Sequence, residues 1–198
     1  MRKVITFYFD FGSPTSYLAY KRLQQVRDKY DVEISPKPVL LGGIFQGAAN
    51  SSPAFVPLKG AWMNIDMRRY AERYGVEFQP NPFFPINTLV LMRAALVAME
   101  SDCFDLYVKT VFNAMWRDPK NLADPDVLSE VLGAAGLDAE QLLTGTQQGH
   151  IKEDLKQRTA DALERGLFGC PTMFYNDEFF FGQDRIFFIE EMIAQETA

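Results

Sequence analysis

In Val4-Ile5-Thr6-Phe7-Tyr8-Phe9-Asp10-Phe11-Gly12-Ser13-Pro14 a strand hands over to a helix. Val4 to Asp10 is rich in β-branched and aromatic residues, which suits a buried strand, and it ends at a glycine-containing turn. Serine is a good N-cap, and proline at the first helical position lacks only an N–H that would be unpaired there anyway. Ser13-Pro14 therefore opens a helix, with Tyr17, Leu18, Leu23 and Val26 at helical spacing out to about Tyr30. Val32 to Val39 reads as a second strand, and Pro36 and Pro38 suggest an irregular or edge end. Strand, helix and strand at this length make a βαβ unit.

From Leu40 to Leu167 the pattern becomes almost continuously helical. Met63, Met67, Tyr70 and Tyr74 form one stripe, and Trp62, Asp66, Arg69 and Arg73 a polar one on another face of the same helix. Asn87 to Glu100 is apolar nearly all round and belongs in the interior. Asp124-Pro125 and Asp138-Ala139-Glu140-Gln141 read as helix starts. Strand signals return at Thr172–Tyr175 and Glu178–Phe181, which flank the turn pair Asn176-Asp177. Gly182-Gln183-Asp184-Arg185 then opens a last helix to about Gln195. The expected fold class is α/β, a thioredoxin-like fold in the order βαβ–ββα with a large all-helical insertion. Residues 1–40 and 167–198 would form the thioredoxin-like domain and 41–166 the helical insertion.

Composition narrows the function. A net charge of -6 makes general binding of nucleic acid or an anionic membrane unfavourable. The two cysteines, Cys103 and Cys170, lie far apart and form neither a Cys-x-x-Cys pair nor a metal-ligand spacing. His150 is the only histidine, which excludes an all-histidine metal site, and its charged surroundings suggest a surface residue. The run Met1-Arg2-Lys3-Val4-Ile5-Thr6-Phe7 lacks the apolar stretch of a signal peptide and reads as a strand. The apolar run Leu89 to Met99 is interrupted by Arg93 and is too short to span a bilayer. A cytoplasmic protein is expected.

In such a fold ligands sit at the carboxyl ends of the strands, beside the first helix. Three segments should converge there. At Gly12-Ser13-Pro14-Thr15-Ser16, redox members place two cysteines, because a helix N-terminus stabilises a thiolate. Two hydroxyls cannot cycle through a disulfide, so dithiol chemistry is excluded. Ser13 either donates a hydrogen bond to another molecule's thiolate or merely caps the helix. At Phe168-Gly169-Cys170-Pro171-Thr172, the proline is either cis, turning the Cys170 backbone towards an extended peptide-like ligand, or an ordinary trans proline at a strand start. At Gly182-Gln183-Asp184-Arg185, a helix N-terminus can bind an anion, Asp184 can accept from a ligand ammonium, or Asp184 simply caps the helix.

Phe7 to Ala19 resembles the opening motif of 2-hydroxychromene-2-carboxylate isomerases and kappa-class glutathione transferases. Phe168–Thr172 and Phe181–Arg185 resemble their second and third motifs, and Phe84-Pro85-Ile86-Asn87 and Phe112–Trp116 are also similar. The resemblance implies glutathione as cofactor, with the catalytic Ser13 at its sulfur. It places Cys170, before Pro171, at the cysteinyl backbone, and Gln183 and Asp184 at the γ-glutamyl end. It implies an asparagine contact at Asn50 and a Lys…Asp-x-x-Arg pattern at Lys59, Asp66 and Arg69, where Lys59 or Arg69 would hold a substrate carboxylate. Cys170 departs from the aliphatic residue usual in the family. It is either a small buried hydrophobe or a thiol open to mixed-disulfide formation. The implied reaction is isomerisation of a small aromatic or unsaturated carbonyl substrate, and the implied assembly is a homodimer. The rival readings are a kappa-type transferase or peroxidase and a non-enzymatic peptide-binding module.

Overall fold

The computed structural model describes residues 3–196. The expected boundaries 1–40 and 167–198, and the reading of the run from Met1 as strand, extend at their ends beyond the described residues.

Strand β1 (Val4–Phe9) leads into helix α1 (Pro14–Tyr30), which returns to β2 (Glu33–Pro38). β1 and β2 pair in parallel from Val4 opposite Glu33 to Phe9 opposite Pro38. β3 (Thr172–Tyr175) pairs antiparallel with β1, and β4 (Glu178–Phe181) antiparallel with β3, giving the order β2-β1-β3-β4. Pro36 and Pro38 thus lie on an edge strand, where a missing N–H is tolerated. Asn176 (φ 48°) and Asp177 (φ 63°) both adopt the positive φ that a tight two-residue hairpin turn requires. This is a mixed thioredoxin-like sheet.

Between β2 and β3 come α2 (Leu41–Gly47), a 3-10 turn at Pro53–Phe55, α3 (Pro57–Tyr74), α4 (Leu89–Glu100), α5 (Phe104–Trp116), α6 (Pro125–Ala134), α7 (Ala139–Gly145) and α8 (Gly149–Glu164). Asp124 and Asp138 cap α6 and α7 by accepting from Asp126 N and Gln141 N. The block is less continuously helical than its apolar pattern suggests. Residues 75–88 run as an irregular segment, anchored by Tyr17 OH on the Glu77 carbonyl (2.7 Å) and by Gln79 N on the Trp116 carbonyl (2.7 Å).

α4 supplies Leu91, Met92 and Ala94 to Ala98 to the interior, as its all-round apolarity requires. Phe9, Phe11, Tyr17 and Tyr20 gather round Phe112 of α5, with Phe11 and Phe112 ring centroids 4.8 Å apart. This aromatic cluster ties β1 and the following turn to the insertion, so the helical block fixes the place where α1 begins.

The chain end departs from expectation. Gln183–Arg185 forms a 3-10 turn before α9 (Ile186–Gln195). The residue capping α9 is Arg185, so Asp184 does not cap that helix. Gly182 (φ 97°) forces the chain to turn there, and Tyr74 OH donates to the Gln183 carbonyl at 2.7 Å, holding the tighter turn.

Candidate active site

Ser13 caps α1: its Oγ accepts from Ser16 N at 3.0 Å, and it is 3% exposed. The same hydroxyl donates to the Cys170 carbonyl at 2.9 Å, and Thr15 Oγ1 lies 3.0 Å away. The Cys170-Pro171 peptide bond is cis, as is Phe84-Pro85. The first and second sequence segments therefore meet directly. Among the described residues, the Cys170 N–H makes no hydrogen bond.

The turn that presents Ser13 is braced from behind. Asp10 is fully buried and accepts from Gly12 N (2.8 Å), Leu41 N (2.8 Å) and Thr88 Oγ1 (3.1 Å). Trp116 Nε1 donates to the Phe11 carbonyl at 2.8 Å. Burial pushes the Asp10 carboxyl above its ordinary range, and the three donors oppose that shift.

A cleft of about 840 Å³ opens over Ser13. Its lining includes Ser13, Asn50, Lys59, Cys170, Gln183 and Asp184, so six of the expected site residues share one cavity. Pro171 is buried behind the lining. Arg69 does not line the cleft: it is exposed on α3, with Nη1 3.7 Å from Asp66 Oδ1. Lys59 is the one cation among the lining residues and makes no ion pair among the described residues. Asn50 Nδ2 donates to the Phe168 carbonyl at 2.9 Å, joining the insertion to the cis-proline loop. Gln183 is buried, and Asp184 pairs with Arg185. Phe45, Met63, Phe84, Trp116, Phe168 and Phe181 contribute to the apolar wall.

The Cys170 side chain is buried in a cluster with Tyr8, Val39, Ile44, Leu167 and Phe174. Burial pushes its thiol well up, and the Asp10 charge adds to the shift. A thiol held protonated among apolar groups behaves as a small hydrophobe. His150 is exposed and sits 3.0 Å from Glu100, on the surface as its sequence context implies.

Sequence reasoning quoted Thr15, Tyr74, Asp10, Phe84, Pro85 and Trp116 within their segments and gave none of them a role in the site. Thr15 carried a signal, since a second hydroxyl in a first helical turn lies within reach of an N-cap hydroxyl. Tyr74 carried none, because its contact with Gln183 spans 109 residues. The residues described contain no cluster of three or more His, Cys, Asp and Glu able to hold a metal, and no helix long and apolar enough to cross a membrane.

Comparison with known proteins gives a consistent picture. A family model described as a DSBA-like thioredoxin domain matches residues 4–194. The chain is 30% identical to a 2-hydroxychromene-2-carboxylate isomerase of Pseudomonas putida, over 97% of this chain and 95% of that protein. It is 28% identical to a glutathione S-transferase kappa 1 of Caenorhabditis elegans, over 96% and 91% respectively. A solved 2-hydroxychromene-2-carboxylate isomerase superposes with a TM-score of 0.89 at 27% identity, covering 98% of this chain and 96% of that one. A probable DsbA oxidoreductase from Streptomyces coelicolor shares the fold, with a TM-score of 0.73 at 15% identity over 98% and 89%.

Proposed function

Because the chain belongs to the DSBA-like thioredoxin-domain family, alongside 2-hydroxychromene-2-carboxylate isomerases and kappa-class glutathione transferases, we propose that it is a glutathione-dependent isomerase. Its substrate would be of the 2-hydroxychromene-2-carboxylate type, interconverted with trans-o-hydroxybenzylidenepyruvate. The observation that carries this reading is the meeting of a capping serine with the Cys170-Pro171 step on one cleft, at the position where a redox relative needs cysteines.

The residues present fit a peptide-like thiol. The Cys170 N–H is available for a ligand carbonyl, as in the addition of a short extended strand. Gln183 and Asp184 offer an amide and a carboxylate to the amino-acid end of a tripeptide. Ser13 can turn its O–H towards an anionic sulfur, and the first turn of α1 adds roughly 0.3–1 kcal/mol in the same direction. Glutathione, when bound, would supply the sulfur nucleophile for reversible addition to an electron-poor carbon; with the ring C–O bond of the chromene hemiketal opened, the former double bond could rotate before the thiolate leaves and the double bond re-forms. Lys59 would hold the substrate carboxylate at the mouth, while Phe45, Phe84 and Trp116 exclude water from the ring.

The test is spectrophotometric conversion of 2-hydroxychromene-2-carboxylate with and without glutathione, in the native protein and in Ser13→Ala. Loss of one preorganised donor should lower turnover on the order of 100-fold to 1,000-fold. Full glutathione-dependent turnover by Ser13→Ala would sink the role given to Ser13. A preference for a halogenated nitroarene would move the protein to the transferases. Failure to bind glutathione at millimolar concentration would leave a peptide-binding module.

A further inference from the structure

Ser13 and Ser16 of Ser-Pro-Thr-Ser stand at the spacing of a Cys-x-x-Cys pair, whose two side chains act together. The structure pairs Ser13 differently. Ser16 gives Ser13 its backbone N–H (3.0 Å), while its own hydroxyl is buried with no hydrogen-bond partner among the described residues. Thr15, half-buried and lining the cleft, is the hydroxyl that reaches Ser13 Oγ, at 3.0 Å.

Ser13 Oγ, Thr15 Oγ1 and the Cys170 carbonyl oxygen form a triangle with edges of 3.0, 2.9 and 3.4 Å. Each hydroxyl carries one proton, so two protons serve three edges. Ser13 Oγ already accepts from Ser16 N. If Ser13 sends its proton to the Cys170 carbonyl at 2.9 Å, it has none left for a ligand. If Ser13 sends it to a ligand sulfur, the buried carbonyl loses its shorter hydroxyl donor. A second hydroxyl resolves the conflict, because Thr15 Oγ1, 3.4 Å from the carbonyl oxygen, can donate to it in place of Ser13.

We propose that Thr15 is a positioning residue that releases the Ser13 proton from the Cys170 carbonyl so that Ser13 can donate to a bound thiolate. Thr15 does not touch the sulfur itself; it acts through Ser13. This rests on the glutathione reading above, and it assigns the divided labour within the Ser-Pro-Thr-Ser turn. Ser13 is the donor, Thr15 its exchange partner, and Ser16 contributes only its backbone N–H to that set.

The test is ultraviolet thiolate absorbance of glutathione bound to the protein, titrated against pH, with stopped-flow turnover alongside. Thr15→Val keeps the branched shape and removes the hydroxyl. It should move the thiolate midpoint upward by about one pH unit, a tenfold loss of thiolate below the midpoint. Thr15→Ala, lacking the branch as well, should give the same shift if the turn stays folded by circular dichroism. Thr15→Ser should restore the native midpoint. An unmoved midpoint in Thr15→Val overturns the proposal, as does a Thr15→Ser variant as impaired as Thr15→Val, which would assign the effect to the methyl group. A native protein that shows no bound thiolate overturns the glutathione reading and this inference together. A native band with an unshifted variant overturns this inference alone.

Discussion

The Asp10 carboxylate accepts the backbone N–H of Leu41 at 2.8 Å, joining the end of β1 to the first turn of α2. The same oxygen takes the Thr88 hydroxyl beside the start of α4, and the other takes Gly12 N within the Ser13 turn. One buried carboxylate therefore fixes the Ser13 turn against two helices of the insertion.

This arrangement gives a pH signature. Burial, the dominant cause, raises the folded pKa of Asp10 above its ordinary 3.8. An acid with a raised folded pKa binds its proton more readily when folded. Its contribution to stability is present at low pH and is lost as pH rises from the ordinary value through the folded one. Asp10→Asn removes that titration and turns an amide NH2 towards groups that are themselves donors. We expect a loss of about 1–3 kcal/mol. The native protein's advantage should be largest in acid and shrink with rising pH. Urea unfolding of both proteins between about pH 4 and pH 8 checks this, and a gap that grows with pH contradicts it.

Cys170 should behave as packing. Its thiol is buried in an apolar cluster, whereas Cys103 is half-buried. Iodoacetamide should modify Cys103 in the folded protein and reach Cys170 only on unfolding, as peptide mass mapping would show. Cys170→Val should change stability by less than about 1.5 kcal/mol and leave turnover intact, because the cleft uses the backbone of this residue. Cys170→Ser, burying a hydroxyl without a designed partner, should lose about 1–3 kcal/mol. A glutathione adduct found on Cys170 of the folded protein would refute this account.

How much of this was readable in advance depends on the range of the contacts. The β1–α1 junction was readable because Ser13-Pro14 caps locally and the apolar period changes at that point. The hairpin was readable because Asn176 and Asp177 tolerate positive φ. The irregular segment 75–88 has local causes that the apolar pattern of Val76, Phe78 and Ile86 masks: Gly75 ends α3 at φ 63°, and Pro80, Pro82 and Pro85 bar a helix beyond it. What was not readable is where the segment is anchored, since Asn81 Nδ2 bridges the Met115 and Lys120 carbonyls at 3.1 Å each. In the site, Ser13 and Cys170 could be named from their neighbours. The partnership of Ser13 with Thr15 and not with Ser16 depends on how the helix rotates each side chain, which spacing borrowed from cysteine motifs does not capture. The same limit separates Lys59 from Arg69, since both suit a carboxylate and only the direction of each on α3 distinguishes them.

Gly182 tests the third segment. At φ 97° any β-carbon is strained, and here it would also strike Asp184 Oδ1. Gly182→Ala should lose about 1–3 kcal/mol and displace Asp184, raising KM for glutathione more than it lowers kcat. Gly75 is the control. Its φ is 63°, and an added β-carbon meets nothing within 4 Å. Gly75→Ala should share the backbone penalty and leave KM unchanged. Equal effects of the two substitutions on KM would show that global strain, not Asp184, governs binding.

Lys59 and Arg69 separate in the same kind of measurement. Lys59 lines the cleft and makes no ion pair among the described residues, so a substrate carboxylate there meets a cation without an internal competitor. Arg69 is outside the cleft and has Asp66 nearby. Lys59→Met should raise KM for a carboxylate substrate about tenfold, the equivalent of about 1.4 kcal/mol, with kcat much less affected. Added salt should reduce the difference, since an exposed pair is screened. Arg69→Met should change KM by less than twofold on the order of a surface substitution, and stability by about 0.5 kcal/mol or less. An uncharged ester of the same substrate should erase the Lys59 effect. If Arg69→Met raises KM and Lys59→Met does not, the carboxylate is held on the other face of α3, and the proposed substrate orientation in the cleft is wrong.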